Sequence, residues 1–193
     1  MAPFNLTNLV DRFLPSRHDE ELDSEVGLID PLTRLPMRAS VVRELKNCLA
    51  KSHGRHPVAL AIVDFSNVQG LVENGAAVNP DLLQRLAKLL TSRVNGHPVG
   101  HLRDREFAII LCGMPISEVE HLADEIINSV RSDASLEAER RYIATIVGIG
   151  YSSKGDCRAP QLMGLADIAL HYALATGRGC HVIVDRIAAS KAA

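Results

Sequence analysis

The stretch Pro57 to Phe65 (PVALAIVDF) constrains this chain most. Val58 to Val63 form an unbroken apolar run, too short for an ordinary helix, and read as a buried strand. An acid, Asp64, stands near its end.

Periodicity places the other elements around this strand. Arg38 to His53 reads as a helix with Val41, Val42, Leu45, Cys48 and Leu49 on one face. A polar, glycine-containing stretch from Ser66 to Asn79 is expected to hold a short helix. Asn79 and Pro80 then open a helix running through Val94. Val99 to Leu102 and Glu106 to Cys112 read as two strands joined by a tight turn at Arg103, Asp104 and Arg105. Ile116 to Arg131 is amphipathic at helical spacing. Tyr142 to Tyr151 reads as a strand carrying Gly148 and Gly150, close-packed strand glycines more than a phosphate loop. Ala159 to Thr176 is a helix ended by Gly177, and Cys180 to Asp185 is a last strand. One hairpin interrupts the strand–helix alternation, so the expected class is α+β: a mixed sheet of about five strands flanked by helices.

Composition excludes several functions. Lys and Arg number 21 against 23 Asp and Glu, a net charge of −2, so a strongly basic nucleic-acid surface is absent and no nucleic-acid partner is expected. No apolar run is long enough for a transmembrane segment. Cys48, Cys112, Cys157 and Cys180 form no CxxC pair, and no secretory signal is read ahead of them. Cys48 and Cys112 are expected as small core residues in a reducing, cytoplasmic compartment. His97 and His101 are four apart but lie in a loop–strand segment with Pro98, and read as surface or strand histidines. P-loop, HExxH and GxSxG motifs are absent. Residues 1–29 form a separate region. Phe4, Leu6, Leu9, Val10, Phe13 and Leu14 recur at roughly helical spacing before Pro15, and an acidic linker follows. This amphipathic segment is expected to pack on its own domain or on a second copy, the sharper alternative being an anchor on a partner or a membrane surface. Its polar face lacks the basic richness of a membrane-surface helix. The expected division is this segment, one domain over 30–186, and a flexible tail over 187–193.

Five landmarks in order resemble the GGDEF family, the diguanylate cyclases. They are Asp30 to Arg38 (DPLTRLPMR), the strand ending in Asp64, the hairpin Arg103-Asp104-Arg105-Glu106-Phe107 at the place of the five-letter signature, Val147 to Gly150, and Ala166 to Leu170 followed by Gly177 and Arg178. The resemblance implies a palm-like sheet related to nucleotidyl cyclases. In active members two such domains each hold one GTP, and two Mg²⁺ ions promote formation of cyclic di-GMP.

Against that pattern the implied site has lost its parts. Arg103 and Asp104 replace two glycines of a turn that comes close to the nucleotide. Arg105 replaces a metal-binding carboxylate, and a guanidinium cannot ligate Mg²⁺. Val72 stands for a guanine-contacting Asn and Leu174 for a phosphate-contacting Lys, while Val94 and His97 occupy the product-inhibition positions. Asp64, Asp81 and Arg178 survive as residual nucleotide-binding candidates. Each has a structural alternative: Asp81 suits the first turn of a helix, Arg178 can contact the last carbonyls of one, and Asp64 can serve structure alone. Phe107 is expected in the core. Arg105 is expected to take the place of the lost cation and pair with Asp64.

No catalytic residue, metal site or cofactor is therefore expected, and Mg²⁺ and GTP binding should be weak or absent. The expected function is a catalytically inactive regulatory module of bacterial cyclic di-GMP-linked signalling. Its partner would be a protein, an active cyclase or another signalling protein, or a second copy in a homodimer. Phe4, Leu9, Val10, Phe13 and Leu14 are the interaction candidates. The alternative is a non-hydrolysing purine-nucleotide sensor, and an active cyclase ranks last.

Overall fold

The computed structural model describes residues 28–66, 79–138, 142–177 and 179–185. Helix α1 (Arg38–Ser52) precedes strand β1 (Val58–Ser66), and α2 (Pro80–Arg93) leads to the hairpin β2 (Val99–Arg103) and β3 (Glu106–Cys112). Helix α3 (Ile116–Ser132), β4 (Ala144–Ser152), α4 (Ala159–Thr176) and β5 (Cys180–Asp185) complete the fold. A single 3₁₀ turn, Ala134–Leu136, follows α3.

The five strands form one mixed sheet in the order β2-β3-β1-β4-β5. β1 is antiparallel to both neighbours, and only β4 and β5 run parallel. All nine residues of β1 are buried. Successive side chains of a strand point to opposite faces, and β1 divides accordingly. Ala59, Ala61, Val63 and Phe65 join a core with α2 and α3. Val58, Leu60 and Ile62 join a second core with α1 and α4. The sheet is thus a middle layer between two helical layers, which explains the unbroken apolar run.

Local chemistry sets the helix ends. Asn79 accepts the backbone N–H of Asp81 at the start of α2, with Pro80 in the first turn. Gly177, at φ 122, ends α4. Gly148 and Gly150 let α4 lie directly on β4. A Cβ at residue 148 would overlap the backbone of Leu170, and one at residue 150 the carbonyl oxygen of Leu162. Their expected role as close-packed strand glycines is the observed one.

Three differences from expectation are physical. β4 begins at Ala144, where its ladder with β1 ends opposite Ser66, and leaves Tyr142 outside the sheet. Ser66, expected in a polar connection, is the last residue of β1; the short helix expected after it falls on 67–78, outside the described residues. Cys48 and Cys112 are not separate core thiols: they are joined in a disulfide across 64 residues of sequence, with Cα atoms 6.1 Å apart. Packing α1 across the sheet brings residue 48 to the end of β3, a proximity that sequence spacing conceals. Cys48 is buried, but Cys112, at the strand terminus, is exposed. Among the described residues no helix is long and apolar enough to cross a membrane.

Gly148→Ala forces α4 away from β4 and should lower stability by about 3 kcal/mol or more. Urea unfolding of the variant beside the native protein measures this.

Candidate functional site

Antiparallel pairing sets Asp64 opposite Glu106, so the β2–β3 hairpin closes against the end of β1. The turn residues are Asp104 and Arg105, between the paired Arg103 and Glu106. Asp104 adopts a left-handed backbone, φ 41. Asp tolerates that conformation better than most residues with a Cβ, which lets this hairpin turn without glycine.

The Asp64 side chain is 5% exposed. A buried carboxylate requires partners, and Asp64 has two. The Ser66 hydroxyl donates to Oδ1 from the same face of the strand, two residues on. Arg105 Nε lies 3.3 Å from Oδ1 and 3.5 Å from Oδ2. The pairing expected between Arg105 and Asp64 is therefore present, and the Phe65 N–H also donates to the Arg105 carbonyl at 3.4 Å. Period-two alternation along β1 puts Ser66 beside Asp64, a local signal that marks it as the second partner.

A second ion pair lies next to the first. Arg103 Nε donates to Glu106 Oε2 at 2.8 Å, and that bond and charge raise the Arg103 pKa further. Asp167, projecting from α4, has its pKa raised by burial and by Glu106, against the opposing pull of Arg38 and Arg103. Cations and acids thus alternate across the hairpin mouth. Phe107 is fully buried, edge-on to Phe65 with ring centroids 5.7 Å apart.

The turn over residues 30–36 holds the hairpin from outside. Asp30 is buried, and its carboxylate accepts from the Thr33 hydroxyl at 2.5 Å and from the backbone N–H groups of Thr33 and Leu32. Burial alone would raise its pKa, but these bonds and the contact with His101 bring it down to about 2. His101 is on β2. Its Nδ1 is 2.9 Å from Asp30 Oδ2, its Nε2 is 3.1 Å from the Asp104 carbonyl, and its ring stacks on Phe107. Its backbone N–H donates to the Pro36 carbonyl at 2.8 Å. His101 is indeed a strand histidine, and it ties the turn to the hairpin. Arg34 sits in this turn at φ 63.

The remaining sequence candidates lie elsewhere. Asp81 occupies the first turn of α2, 74% exposed, and its carboxylate accepts from Arg85 Nε at 3.0 Å. Leu174 is exposed near the end of α4. Val72, Arg178, Phe4, Leu9, Val10, Phe13 and Leu14 lie outside the described residues.

Comparison with known proteins gives one answer. The family described as "Diguanylate cyclase, GGDEF domain" matches residues 27–180. The GGDEF domain of TpbB (YfiN) from Pseudomonas aeruginosa is 24% identical, with 80% of this chain and 93% of that chain covered and a TM-score of 0.67. The active GGEEF domain of a diguanylate cyclase from Vibrio cholerae is 23% identical, covering 76% and 95%, with a TM-score of 0.66. The GGDEF domain of DgcB from Caulobacter crescentus, solved with c-di-GMP, is 21% identical, covering 84% and 97%, with a TM-score of 0.69. These likenesses establish the shared fold.

Two outcomes follow from the geometry. Arg105→Ala leaves the Asp64 carboxylate buried without its cation, and should cost about 1–3 kcal/mol. The loss should shrink in an Asp64→Asn background, as a double-mutant cycle by urea unfolding would reveal. Because the folded-state pKa of Asp30 is depressed to about 2, its contribution is complete above about pH 4 and is lost as pH falls through about 2. Between pH 5 and pH 2 the native protein should lose about 2 kcal/mol more than Asp30→Asn does.

Proposed function

This chain belongs to the GGDEF family, and we propose that within it the chain is a catalytically inactive regulatory module that works by binding a protein partner. The observation that carries the reading is the Arg105 guanidinium beside the buried Asp64 carboxylate. In the family pattern a second carboxylate would stand at residue 105 and share divalent cations with Asp64. Mg²⁺ asks for oxygen ligands in near-octahedral order. Arg105 supplies no acceptor, carries charge of the same sign as the ion, and already engages both Asp64 oxygens. The residues present do not fit the Mg²⁺–GTP centre. Arg103 and Asp104 add side chains where the family turn has none.

The sensor alternative has less support, since the Asp81 carboxylate is taken up by Arg85 and Val72 and Leu174 replace polar nucleotide contacts. The partner in this proposal is an active cyclase, whose output the module tunes by pairing with it, or another signalling protein, in the cytoplasm. The amphipathic residues of segment 1–29 supply the contact, with domain boundaries at 30–186 and a tail at 187–193.

Purified protein incubated with GTP and Mg²⁺ should yield no cyclic di-GMP above a protein-free control, and calorimetry should detect no GTP binding. Added to an active GGDEF cyclase, the full chain should change the rate of cyclic di-GMP formation, and a chain lacking residues 1–29 should not. Product from the pure protein would overturn the reading.

A further inference from the structure

We infer that the Cys48–Cys112 pair is a reversible thiol–disulfide switch that fastens α1 covalently to the sheet under oxidising conditions and leaves it held by packing alone under reducing ones. Three observations converge. The pair spans two elements: Cys48 lies on the sheet-facing side of α1, and Cys112 ends β3. Its Cα separation of 6.1 Å needs no backbone movement for closure. Its two halves differ in access, since Cys48 is 3% exposed while Cys112 is open to solvent.

Asymmetric access distinguishes this pair from an enclosed structural bridge. A thiolate from a dithiol reductant can reach the Cys112 sulfur. It bonds there, the Cys48–Cys112 bond breaks, and Cys48 leaves as a thiolate that takes up a proton. The second thiol of the reductant then attacks its own sulfur in the mixed disulfide and releases Cys112. The protein gains two electrons and two protons, and the reductant becomes a disulfide. A dithiol carrier or a small disulfide runs the exchange in either direction.

The reduced state keeps the fold. Val41, Leu45 and Leu49 bury the same face of α1 against β1, β3 and α4 without help from the sulfur bond. Reduction removes a cross-link over 64 residues, and with it the restraint on the unfolded chain. α1 also connects the sheet to the Asp30 turn, through the Val41 N–H to Met37 carbonyl bond and the pairing of Met37 with His101. Loss of the cross-link therefore loosens the support of the hairpin that carries Arg105. Cys157 and Cys180 are half-buried and remain thiols in the same structure.

The test is a redox titration of the full chain in graded ratios of reduced to oxidised dithiothreitol at neutral pH. Free thiols are trapped by alkylation, and linked peptides are identified by mass. A Cys48–Cys112 peptide should form on oxidation, disappear on reduction of the folded protein, and return. Reduction should lower Tm by on the order of 10 °C in the native chain and leave Cys112→Ser unmoved. Hydrogen exchange in α1 should rise on reduction. A linked peptide joining other cysteines would overturn the inference. So would a 48–112 link that resists dithiothreitol until the protein unfolds, or failure of the link to form under a thiol oxidant. Cys112→Ser replaces an exposed residue, so its folding provides a control independent of the buried partner.

Discussion

A carboxylate carried out of water by folding needs a partner, and the placement of Asp64 makes that demand central to this protein. β1 has a neighbour on each edge and a helical layer over each face. Nothing on such a strand reaches bulk solvent, so an acid near its end is desolvated whatever its role. Ser66 and Arg105 answer the demand from two directions, one along the strand and one from the hairpin. The sheet register, which sets β3 antiparallel to β1 with Glu106 opposite Asp64, delivers Arg105 to that spot.

The hairpin is fixed by more than this ion pair. Arg103 and Glu106 clamp its base, and His101 links its outer strand to the carboxylate of Asp30. Asp30 in turn organises its own turn through bonds from Thr33 and Leu32. Two segments some 70 residues apart therefore share one polar junction, capped below by the stacking of His101 on Phe107.

Membership of the GGDEF family accounts for the fold and for the residues that hold it together: the Asp30 turn, the β4 glycines beneath α4, and Phe107 in the core. Cys48 and Cys112 add a covalent tie at the other end of β3, remote from the hairpin yet joined to it through α1 and the Asp30 turn.

Element types, their order and most of their ends could be read from the sequence, because the apolar run of β1, the helical stripes and the Asn79, Pro80 and Gly177 signals are local properties of the chain. The Arg105–Asp64 pair could also be anticipated, since the resemblance puts a cationic side chain where a metal ion would neutralise the Asp64 carboxylate. The tertiary structure alone decided the sheet order, the bridging by His101, the contribution of Ser66, the engagement of Asp81 with Arg85, and the bond between Cys48 and Cys112. The sheet order, the His101 bridge and the sulfur bond depend on which residues from distant parts of the chain come to lie side by side, while the Ser66 and Arg85 contacts are local and depend on which way neighbouring side chains turn. Periodicity along a single segment says which face of it is buried, but not what it is buried against.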